Sequence, residues 1–283
     1  MFTAQSLLFV PGHRADRFGK ARAAGAGVTV IDLEDAVPAA DKAAARAAAL
    51  ACFGEAFEQG ALSGWALRIN AITTAAGVAD LTALTEAAVL PPLLLLPMVE
   101  SPVELRILAG ALGPRCPGII PLIETPAGLR QAHAIGQAPQ VAAMMFGGGD
   151  FSAELGVALA WEPLLAARGA FMLAAAEARV PAIDVPFIDL EDADGLATEA
   201  RRARALGFAA KAAIHPAQVA AIHAAFAPTP ADVAEAHEAL AAYAQGGGQA
   251  IRFRGRMLEA PIIRRYQAVL AASAIGKDEK QHA

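Results

Sequence analysis

Cysteine, long apolar runs and excess positive charge are all scarce in this chain of 283 residues. Its two cysteines, Cys52 and Cys116, form neither a disulfide framework nor a metal-binding pattern, so we expect reduced thiols in a cytoplasmic protein. The longest apolar stretch, residues 87–99, is too short for a membrane span and contains three prolines. A net charge of −5 offers no basic patch for nucleic acid. We therefore expect a soluble protein that binds neither nucleic acid nor membrane.

Short apolar runs recur along the chain, one about every 30 residues. Each run is long enough for one buried strand, and most precede an alanine-rich segment of helical character. Eight such repeats in a chain of this length predict an α/β protein, a (β/α)8 TIM barrel with a helical, lid-like C-terminal extension. The predicted strands are Ser6–Gly12, Val28–Asp35, Trp65–Asn70, Leu93–Glu100, Gly118–Glu124, Ala142–Asp150, Ala182–Asp189 and Ala209–His215.

The end of the chain falls outside the eightfold repeat. We predict a TIM barrel over residues 1–227, an extension over 228–275 and a disordered tail over 276–283. Within the extension, a helix from about Pro230 to Tyr243 is followed by three glycines, a short hairpin over 251–257 and a last helix over 261–273. We expect the extension to act as a lid on a neighbouring subunit.

Polar and ionisable residues follow nearly every predicted strand. Because the active site of a TIM barrel lies at the C-terminal ends of its strands, this distribution predicts an enzyme. The candidate residues are His13, Arg14, Asp32, Glu34, Asp35, Arg68, Asn70, Glu124, Asp150, Asp184 and His215.

Two carboxylates, Glu124 and Asp150, follow the fifth and sixth predicted strands. Close carboxylates repel each other unless a cation or a shared proton lies between them. Oxygen ligands without a histidine or cysteine partner favour Mg²⁺, with Mn²⁺ as the alternative ion. The competing interpretation is that Glu124 caps a helix that begins at Thr125-Pro126.

Three consecutive glycines, Gly147, Gly148 and Gly149, precede Asp150. Glycine allows a ligand to approach the backbone, and free amide groups can bind a substrate carboxylate. The alternatives are a phosphate-binding loop or a simple tight turn. The segment is not a Walker A loop, because no Lys-Ser/Thr pair follows it.

Arg68 lies between apolar neighbours at the end of the third predicted strand. A buried guanidinium must be paired, and it suits a substrate carboxylate or oxyanion. The alternative is an internal salt bridge with Asp32 or Glu34.

The chain resembles the citrate lyase β-subunit-like branch of the HpcH/HpaI aldolase/citrate lyase superfamily along almost its whole length. The segments that carry this resemblance are Leu8–Arg14, Asp32–Val37 with Lys42 and Arg46, Leu67–Asn70, Ile123–Thr125, Phe146–Ser152, Gly207–Lys211, Ile214–Gln218 and Gly255–Pro261.

The resemblance implies a trimeric or hexameric TIM barrel that cleaves or forms a carbon–carbon bond in a 3-hydroxyacyl coenzyme A thioester with Mg²⁺. The products of cleavage are acetyl-CoA and a 2-oxo acid. The implied roles are metal binding by Glu124 and Asp150, binding and polarisation of the keto acid by Arg68, coenzyme A phosphate binding by Arg14 and Lys42, and proton donation by Glu259. Among the remaining candidates, we expect Glu124, Gly147, Gly148 and Gly149 to bind substrate, and Asp32, Glu34 and Asp35 to support the site.

The sequence departs from the family pattern at several positions. Met98 stands where the family usually has lysine, which predicts weak binding of coenzyme A esters. Glu259 replaces the usual aspartate of the acid loop, and Gln5 replaces an arginine near the first strand. Gly149 stands where many members have an acid or alanine.

Two other functions remain open at this point. One is a metal-dependent aldolase acting on a free 4-hydroxy-2-oxo acid, with His13 as its candidate base. The other is a subunit of a citrate lyase-like complex that docks an acyl carrier protein. Arg201, Arg202 and Arg204 on one predicted helix are the candidate docking patch.

Overall fold

The computed structural model describes residues 2–281, with the backbone alone for residues 272 and 274–281. Eight parallel strands close into a barrel in sequence order, and the last strand pairs with the first. The TIM-barrel prediction is therefore confirmed. The strands are β1 (Ser6–Pro11), β2 (Val28–Asp32), β3 (Trp65–Arg68), β4 (Leu93–Leu96), β5 (Gly118–Ile123), β6 (Met144–Phe146), β7 (Ala182–Asp184) and β8 (Ala210–Ala213).

Helices connect successive strands around the barrel. Several begin at a side-chain cap: Ser101 and Glu104, for example, form a reciprocal capping box at the start of the fourth helix. None of the helices in the described part of the chain is long and apolar enough to cross a membrane. The helices that lie between the strands or directly follow the last strand are α1 (Phe18–Arg22), α2 (Lys42–Glu58), α3 (Ala75–Glu86), α4 (Pro102–Leu112), α5 (Pro126–Gly136), α6 (Gly148–Leu155), α7 (Trp161–Ala178), α8 (Ala193–Leu206) and α9 (Ala217–Phe226).

The strands end earlier than the apolar runs suggest. Strand β2 stops at Asp32 because its carboxylate accepts the backbone N–H of Glu34 at 2.9 Å, which turns the chain out of the sheet. Strand β6 stops at Phe146, and helix α6 follows almost at once. The polar residues after the strands therefore lie in loops and first helical turns at one end of the barrel.

The barrel interior is filled by buried apolar side chains from alternating strand positions. Leu7, Val30, Leu95 and Ile120 belong to one cluster of this interior, and none of them is exposed to solvent. This packed core fixes the strands, so the loops at their C-terminal ends are held on a rigid frame.

The chain divides into two compact units, residues 1–225 and 226–283. The second unit contains α10 (Pro230–Gln245), an antiparallel hairpin of β9 (Ile251–Phe253) and β10 (Arg256–Leu258), and α11 (Ala260–Gln281). The predicted hairpin is thus confirmed. Helix α11 includes residues 276–281 and the last two residues lie outside the described part, so the disordered tail stays a prediction.

Candidate active site

A cavity of about 470 Å³ opens at the C-terminal ends of the barrel strands. Four carboxylates and one guanidinium line it, and the rest of its wall is mainly apolar. It brings together most of the predicted site residues. The lining residues are Phe9, Pro11, Asp32, Asp35, Ala36, Arg68, Leu122, Glu124, Met145, Gly147, Gly149, Asp150, Leu159, Val185, Pro186, Ile188 and Ile214.

Arg68 lies at the end of β3 and is held by two carboxylates. Its Nε and Nη2 donate to the two oxygens of Asp32 at 2.7 and 2.6 Å, and its Nη1 lies 2.6 Å from Glu34 Oε2. The guanidinium also stands 5.2 Å from the ring centre of Phe9. The internal salt bridge considered from the sequence is therefore present, with both proposed partners. Because Arg68 also lines the cavity, this pairing fixes the guanidinium at the cavity wall.

Glu34 is a half-buried carboxylate surrounded by other charged groups. Burial raises its pKa to about 8, and the charge of Arg68 opposes that shift without cancelling it. The negative charges of Glu124, Asp35 and Asp32 act in the same direction as burial. Arg68 therefore shares its surroundings with several acidic groups, and the burial of Glu34 favours the protonated form of that side chain.

Glu124 directly follows β5 and is buried, with 4% exposure. Its Oε2 accepts the backbone N–H of Met98 at 2.6 Å. Burial raises its pKa to about 7, and the charge of Asp150 adds to the rise, while Met98 and Arg68 act against it. The helix cap at α5 is supplied by Thr125, whose hydroxyl accepts the Gly128 N–H at 3.0 Å. Glu124 therefore does not cap helix α5.

Met98 adopts an uncommon backbone conformation next to Glu124. Its φ of 54° lies in the left-handed region that non-glycine residues rarely occupy. Such strain costs about 1–3 kcal/mol and tends to persist at functional sites. Here it turns the Met98 N–H toward the carboxylate of Glu124. The expected effect of this residue on coenzyme A esters stays a prediction.

Asp150 lies in the first turn of α6 and not at a strand end, which corrects the sequence-based placement. Gly147 is the residue before this helix, and its N–H is bonded to the Ile123 carbonyl at 3.0 Å. Gly148 and Gly149 form the beginning of the helix, where backbone N–H groups lack intrahelical partners. Binding of a substrate carboxylate by this segment stays a prediction.

Gly147 is required by the position of Glu124. A Cβ atom on Gly147 would overlap the Glu124 side chain, whereas one on Gly149 would meet no atom within 4 Å. We therefore expect Gly147→Ala to displace the Glu124 carboxylate and to weaken divalent-cation binding at least about tenfold, with about 1–3 kcal/mol of lost stability. The matched variant Gly149→Ala should leave cation affinity unchanged. Calorimetric titration of both variants with Mg²⁺ tests this, and equal affinities would refute it.

The residues of the cavity fit a hard divalent cation. Glu124 and Asp150 are close enough for the charge of one to raise the pKa of the other, and both are oxygen donors. No group of three or more His, Cys, Asp or Glu residues in the described part of the chain has metal-binding geometry. A cation held here would therefore complete its coordination with water and substrate oxygens, as Mg²⁺ commonly does.

Lys42 supports the loop between β2 and α2. Its ammonium donates to the carbonyls of Leu33 and Glu34 at 2.8 and 2.9 Å and to Asn70 Oδ1 at 2.6 Å. These bonds occupy all three of its N–H groups. A contact with coenzyme A phosphates stays a prediction for Lys42, and it would require the loss of one of these bonds.

Asp80 on α3 is a supporting residue that the sequence did not reveal. One of its oxygens accepts from Arg46 Nε at 2.7 Å, and the other accepts from the backbone and side-chain nitrogens of Asn70 at 2.8 and 2.6 Å. Asp80 is 1% exposed. A single aspartate in an alanine-rich helix carries no sequence signal of this role. Asp80 thus fixes Asn70, the partner of Lys42.

A second buried charge network holds β7 and β8 together. Lys211 Nζ donates to Asp184 at 2.7 Å, to Glu199 at 2.8 Å and to the Val185 carbonyl at 2.7 Å. Arg168 Nε donates to the other oxygen of Asp184 at 2.9 Å. Burial favours a raised pKa for Asp184, but its two cationic partners lower it, so Asp184 is charged. This network fixes the chain where it enters the cavity wall at Val185.

Other predicted site residues lie outside the cavity lining or at its exposed edge. Arg14 forms an exposed ion pair with Asp16 at 2.8 Å, and His13 is exposed. Asp35 is exposed and lines the cavity. His215 is exposed, and its ring nitrogen lies 3.2 Å from the Ala217 backbone nitrogen.

The three arginines of α8 each contact a different protein group. Arg202 pairs with Glu162 at 2.8 Å and lies 4.6 Å from the Trp161 ring centre, while Arg201 bonds to Thr198 at 3.1 Å. Arg204 donates to the Ala225 carbonyl at 3.2 Å.

Glu259 belongs to the second unit, immediately before α11. It is exposed, and its carbonyl accepts the backbone N–H of Ile263 at 3.0 Å. Its approach to a barrel mouth stays a prediction.

Comparison with known proteins agrees with the barrel fold. The HpcH/HpaI aldolase/citrate lyase family matches residues 5–216, and a family described as a C–C bond lyase of the TIM-barrel fold matches residues 171–274. This chain therefore belongs to the HpcH/HpaI aldolase/citrate lyase family.

Individual relatives cover nearly the whole chain. The chain is 32% identical to mouse mitochondrial citramalyl-CoA lyase over 97% of its length and 87% of the relative. It is 36% identical to a citrate lyase subunit beta-like protein of Deinococcus radiodurans, over 95% of the chain and 97% of the relative.

A solved structure is equally similar. Protein CitE from Mycobacterium tuberculosis, in complex with magnesium, acetoacetate and coenzyme A, is 33% identical, with a TM-score of 0.83 over 96% of this chain and 98% of that one. Other structures of the M. tuberculosis protein contain magnesium with oxaloacetate or with pyruvate. The M. tuberculosis relative thus binds magnesium, small oxo acids and coenzyme A.

Proposed function

We propose that this protein is a Mg²⁺-dependent carbon–carbon lyase acting on a 3-hydroxyacyl coenzyme A thioester. The observation that carries the proposal is the cavity itself, where two carboxylates suited to a cation, Glu124 and Asp150, face the same space as the oriented guanidinium of Arg68. The products are acetyl-CoA and a 2-oxo acid, and the same site can run the reaction in the direction of bond formation.

The chain's own residues account for the charges that develop during cleavage. A Mg²⁺ ion at Glu124 and Asp150 would act as a Lewis acid on oxygens of the substrate. Arg68 retains N–H groups beyond those used by Asp32 and Glu34, and it directs positive charge at the oxygen that becomes the 2-oxo group. Asp32 and Glu34 hold the guanidinium so that little reorganisation is needed during the reaction.

Cleavage also needs a base and an acid. The hydroxyl proton of the substrate passes to solvent water as the carbon–carbon bond breaks, and the bonding electrons pass to the acetyl thioester as its enolate. A proton must then reach the enolate carbon. We assign that protonation to Glu259, whose exposed position in the second unit leaves its carboxyl accessible.

The subunit arrangement follows from this assignment. We propose a homotrimer or a dimer of trimers in which Glu259 of one subunit serves the barrel of a neighbour. When Glu124→Gln and Glu259→Gln chains are co-expressed, random assembly should restore about a quarter of the wild-type activity, because a quarter of the shared sites then receive both intact residues. Activity is measured by acetyl-CoA release. Mixtures as inactive as either parent would instead place each complete site within one chain.

Two alternative functions have less support. A free 4-hydroxy-2-oxo acid aldolase would need a histidine base, and no histidine is among the described lining residues of the cavity. Docking of an acyl carrier protein would need a basic patch, whereas Arg201, Arg202 and Arg204 contact different protein groups.

A substrate panel separates these functions. Purified protein is incubated with citramalyl-, malyl- and citryl-CoA, with free 4-hydroxy-2-oxo acids and with a carrier-protein thioester, each with Mg²⁺ or with a chelator. The proposal predicts cleavage of at least one coenzyme A thioester, lost on chelation. Cleavage confined to free acids, or to the carrier-protein thioester, would contradict it.

A further inference from the structure

The apolar part of the cavity wall limits which thioesters can bind. Val185, Pro186, Ile188, Ile214 and Leu159 line this part. A Cβ on Gly148 would lie 3.1 Å from Val185 Cγ1 and 3.2 Å from Leu159 Cδ1, so these side chains lie against the backbone that leads to Asp150. A group bound beside Asp150 therefore meets hydrocarbon on this side.

The chain fixes this wall at two points. Lys211, which is fully buried, donates to the Val185 carbonyl at 2.7 Å, and Gln218 donates to the Phe187 carbonyl at 2.7 Å. Lys211 and Gln218, which are not among the lining residues, therefore hold the segment from Val185 to Ile188 in place. We expect it to keep its shape when a ligand binds.

The cavity offers little positive charge to a ligand, because the proposed function assigns the remaining N–H groups of Arg68 to the oxygen that becomes the 2-oxo group. Arg68 is the one cationic side chain among the described lining residues, and it contacts both Asp32 and Glu34. The other titratable lining groups are carboxylates. A second carboxylate on the ligand, beyond the one held at the cation site, would find no cationic partner and would face negative charge.

We propose that the site selects 3-hydroxyacyl thioesters whose carbinol carbon carries hydrogen or a small alkyl group, and that it rejects those carrying a second carboxymethyl group. The 2-oxo acid released is then a monocarboxylate such as glyoxylate or pyruvate. This inference rests on the proposed function. Family membership does not make the choice, because the relatives include a citramalyl-CoA lyase and citrate lyase beta-like proteins.

Binding of free 2-oxo acids tests the preference without any thioester. Titrations with Mg²⁺ compare pyruvate, oxaloacetate and 4-methyl-2-oxopentanoate, which has the branched shape of oxaloacetate but one charge fewer. We expect pyruvate to bind at least about tenfold more tightly than oxaloacetate, and the branched monocarboxylate to bind more tightly than oxaloacetate as well. Oxaloacetate binding as tightly as pyruvate would overturn the proposal. Equal weakness of the two larger acids would also overturn it, since size would then be the cause.

Two substitutions on the same loop test whether the apolar wall causes the preference for monocarboxylates. Ile188 and Leu190 are 58% and 57% exposed, and Ile188 lines the cavity whereas Leu190 does not. Ile188→Arg should improve oxaloacetate binding relative to pyruvate by about tenfold, because it supplies the missing cation. Leu190→Arg adds the same charge nearby and should leave the ratio unchanged. An unchanged ratio in Ile188→Arg, or equal shifts in both variants, would contradict the assignment of the apolar wall.

The thioester panel separates the two proposals. If monocarboxylates bind preferentially but no thioester is cleaved, the proposed lyase function fails and the preference stands. If citryl- and citramalyl-CoA are cleaved with equal efficiency, the lyase function stands and the preference fails.

Discussion

Glu124→Gln is expected to lower kcat/KM by about a thousandfold while the barrel stays folded. Glutamine keeps the size of the side chain and an oxygen that can accept the Met98 N–H, now 2.6 Å from Oε2. What it removes is the negative charge that would bind a cation. Calorimetric titration with Mg²⁺ should show no binding, in agreement with the kinetic loss.

The effect of Glu124→Gln on the stability of the fold is expected to depend on pH. In the folded protein without metal, the pKa of Glu124 is raised from 4.5 to about 7, so the folded state binds the proton more tightly than the unfolded state. The stability gained from this proton is complete below pH 4.5 and is lost as the pH rises through 7. Glutamine does not titrate, so at pH 8 the variant should be at least as stable to urea as the metal-free wild type.

A nearby carboxylate provides the control for Glu124→Gln. Glu100 is exposed, lies outside the cavity lining and accepts the Thr125 hydroxyl at 2.7 Å. Glu100→Gln should keep wild-type kcat/KM and Mg²⁺ affinity. If Glu124→Gln were fully active, or if Glu100→Gln were equally impaired, the cation site would have to be placed elsewhere.

Arg68→Lys is expected to reduce kcat by about a hundredfold to a thousandfold. An ammonium cannot reproduce the paired bonds from Nε and Nη2 to Asp32 together with the contact of Nη1 to Glu34. The positive charge would remain in the cavity but would no longer be aimed at the developing oxyanion. Steady-state kinetics at saturating Mg²⁺ measure this loss.

Arg46→Lys separates lost catalysis from lost stability. Arg46 also makes a partly buried ion pair, with Asp80 at 2.7 Å, but it does not line the cavity. Its lysine variant should unfold at lower urea concentration and keep a near-normal kcat. An Arg68→Lys protein with normal kcat would mean that Arg68 serves only as an ion-pair partner.

The strands of the barrel were predictable because most of their residues are apolar on both faces of the sheet. Strand β4 consists of four leucines, and β5 reads Gly-Ile-Ile-Pro-Leu-Ile, so neither could lie at a solvated surface. Arg68 and Glu124 could be selected for a related reason, since a charge that directly follows such a run must be paired or must bind something.

Helix α6 could not be predicted from local preferences. Gly147, Gly148 and Gly149 disfavour a helix and resemble a loop. The helix forms because Phe151 buries its ring against Phe146, with centroids 5.4 Å apart. This tertiary contact moves Asp150 from a strand end to a helical turn.

The hydrogen bonds of Lys42 illustrate a second limit of prediction from sequence. A lysine after a strand resembles a ligand-binding residue, and its partners are carbonyls of Leu33 and Glu34 and the side chain of Asn70. Backbone carbonyls carry no sequence signal. The apolar wall at Val185 and Ile188 was missed for a similar reason, because apolar residues after a strand resemble any buried loop.

The products released from citramalyl-CoA test the central claim most directly. The thioester is incubated with wild-type protein and Mg²⁺, and acetyl-CoA, pyruvate, free coenzyme A and citramalate are quantified by liquid chromatography and mass spectrometry. The account predicts acetyl-CoA and pyruvate in equal amounts, with both lost on chelation and in Glu124→Gln. Release of free coenzyme A and citramalate would show thioester hydrolysis in place of carbon–carbon cleavage, and full activity in the presence of chelator would contradict the cation site.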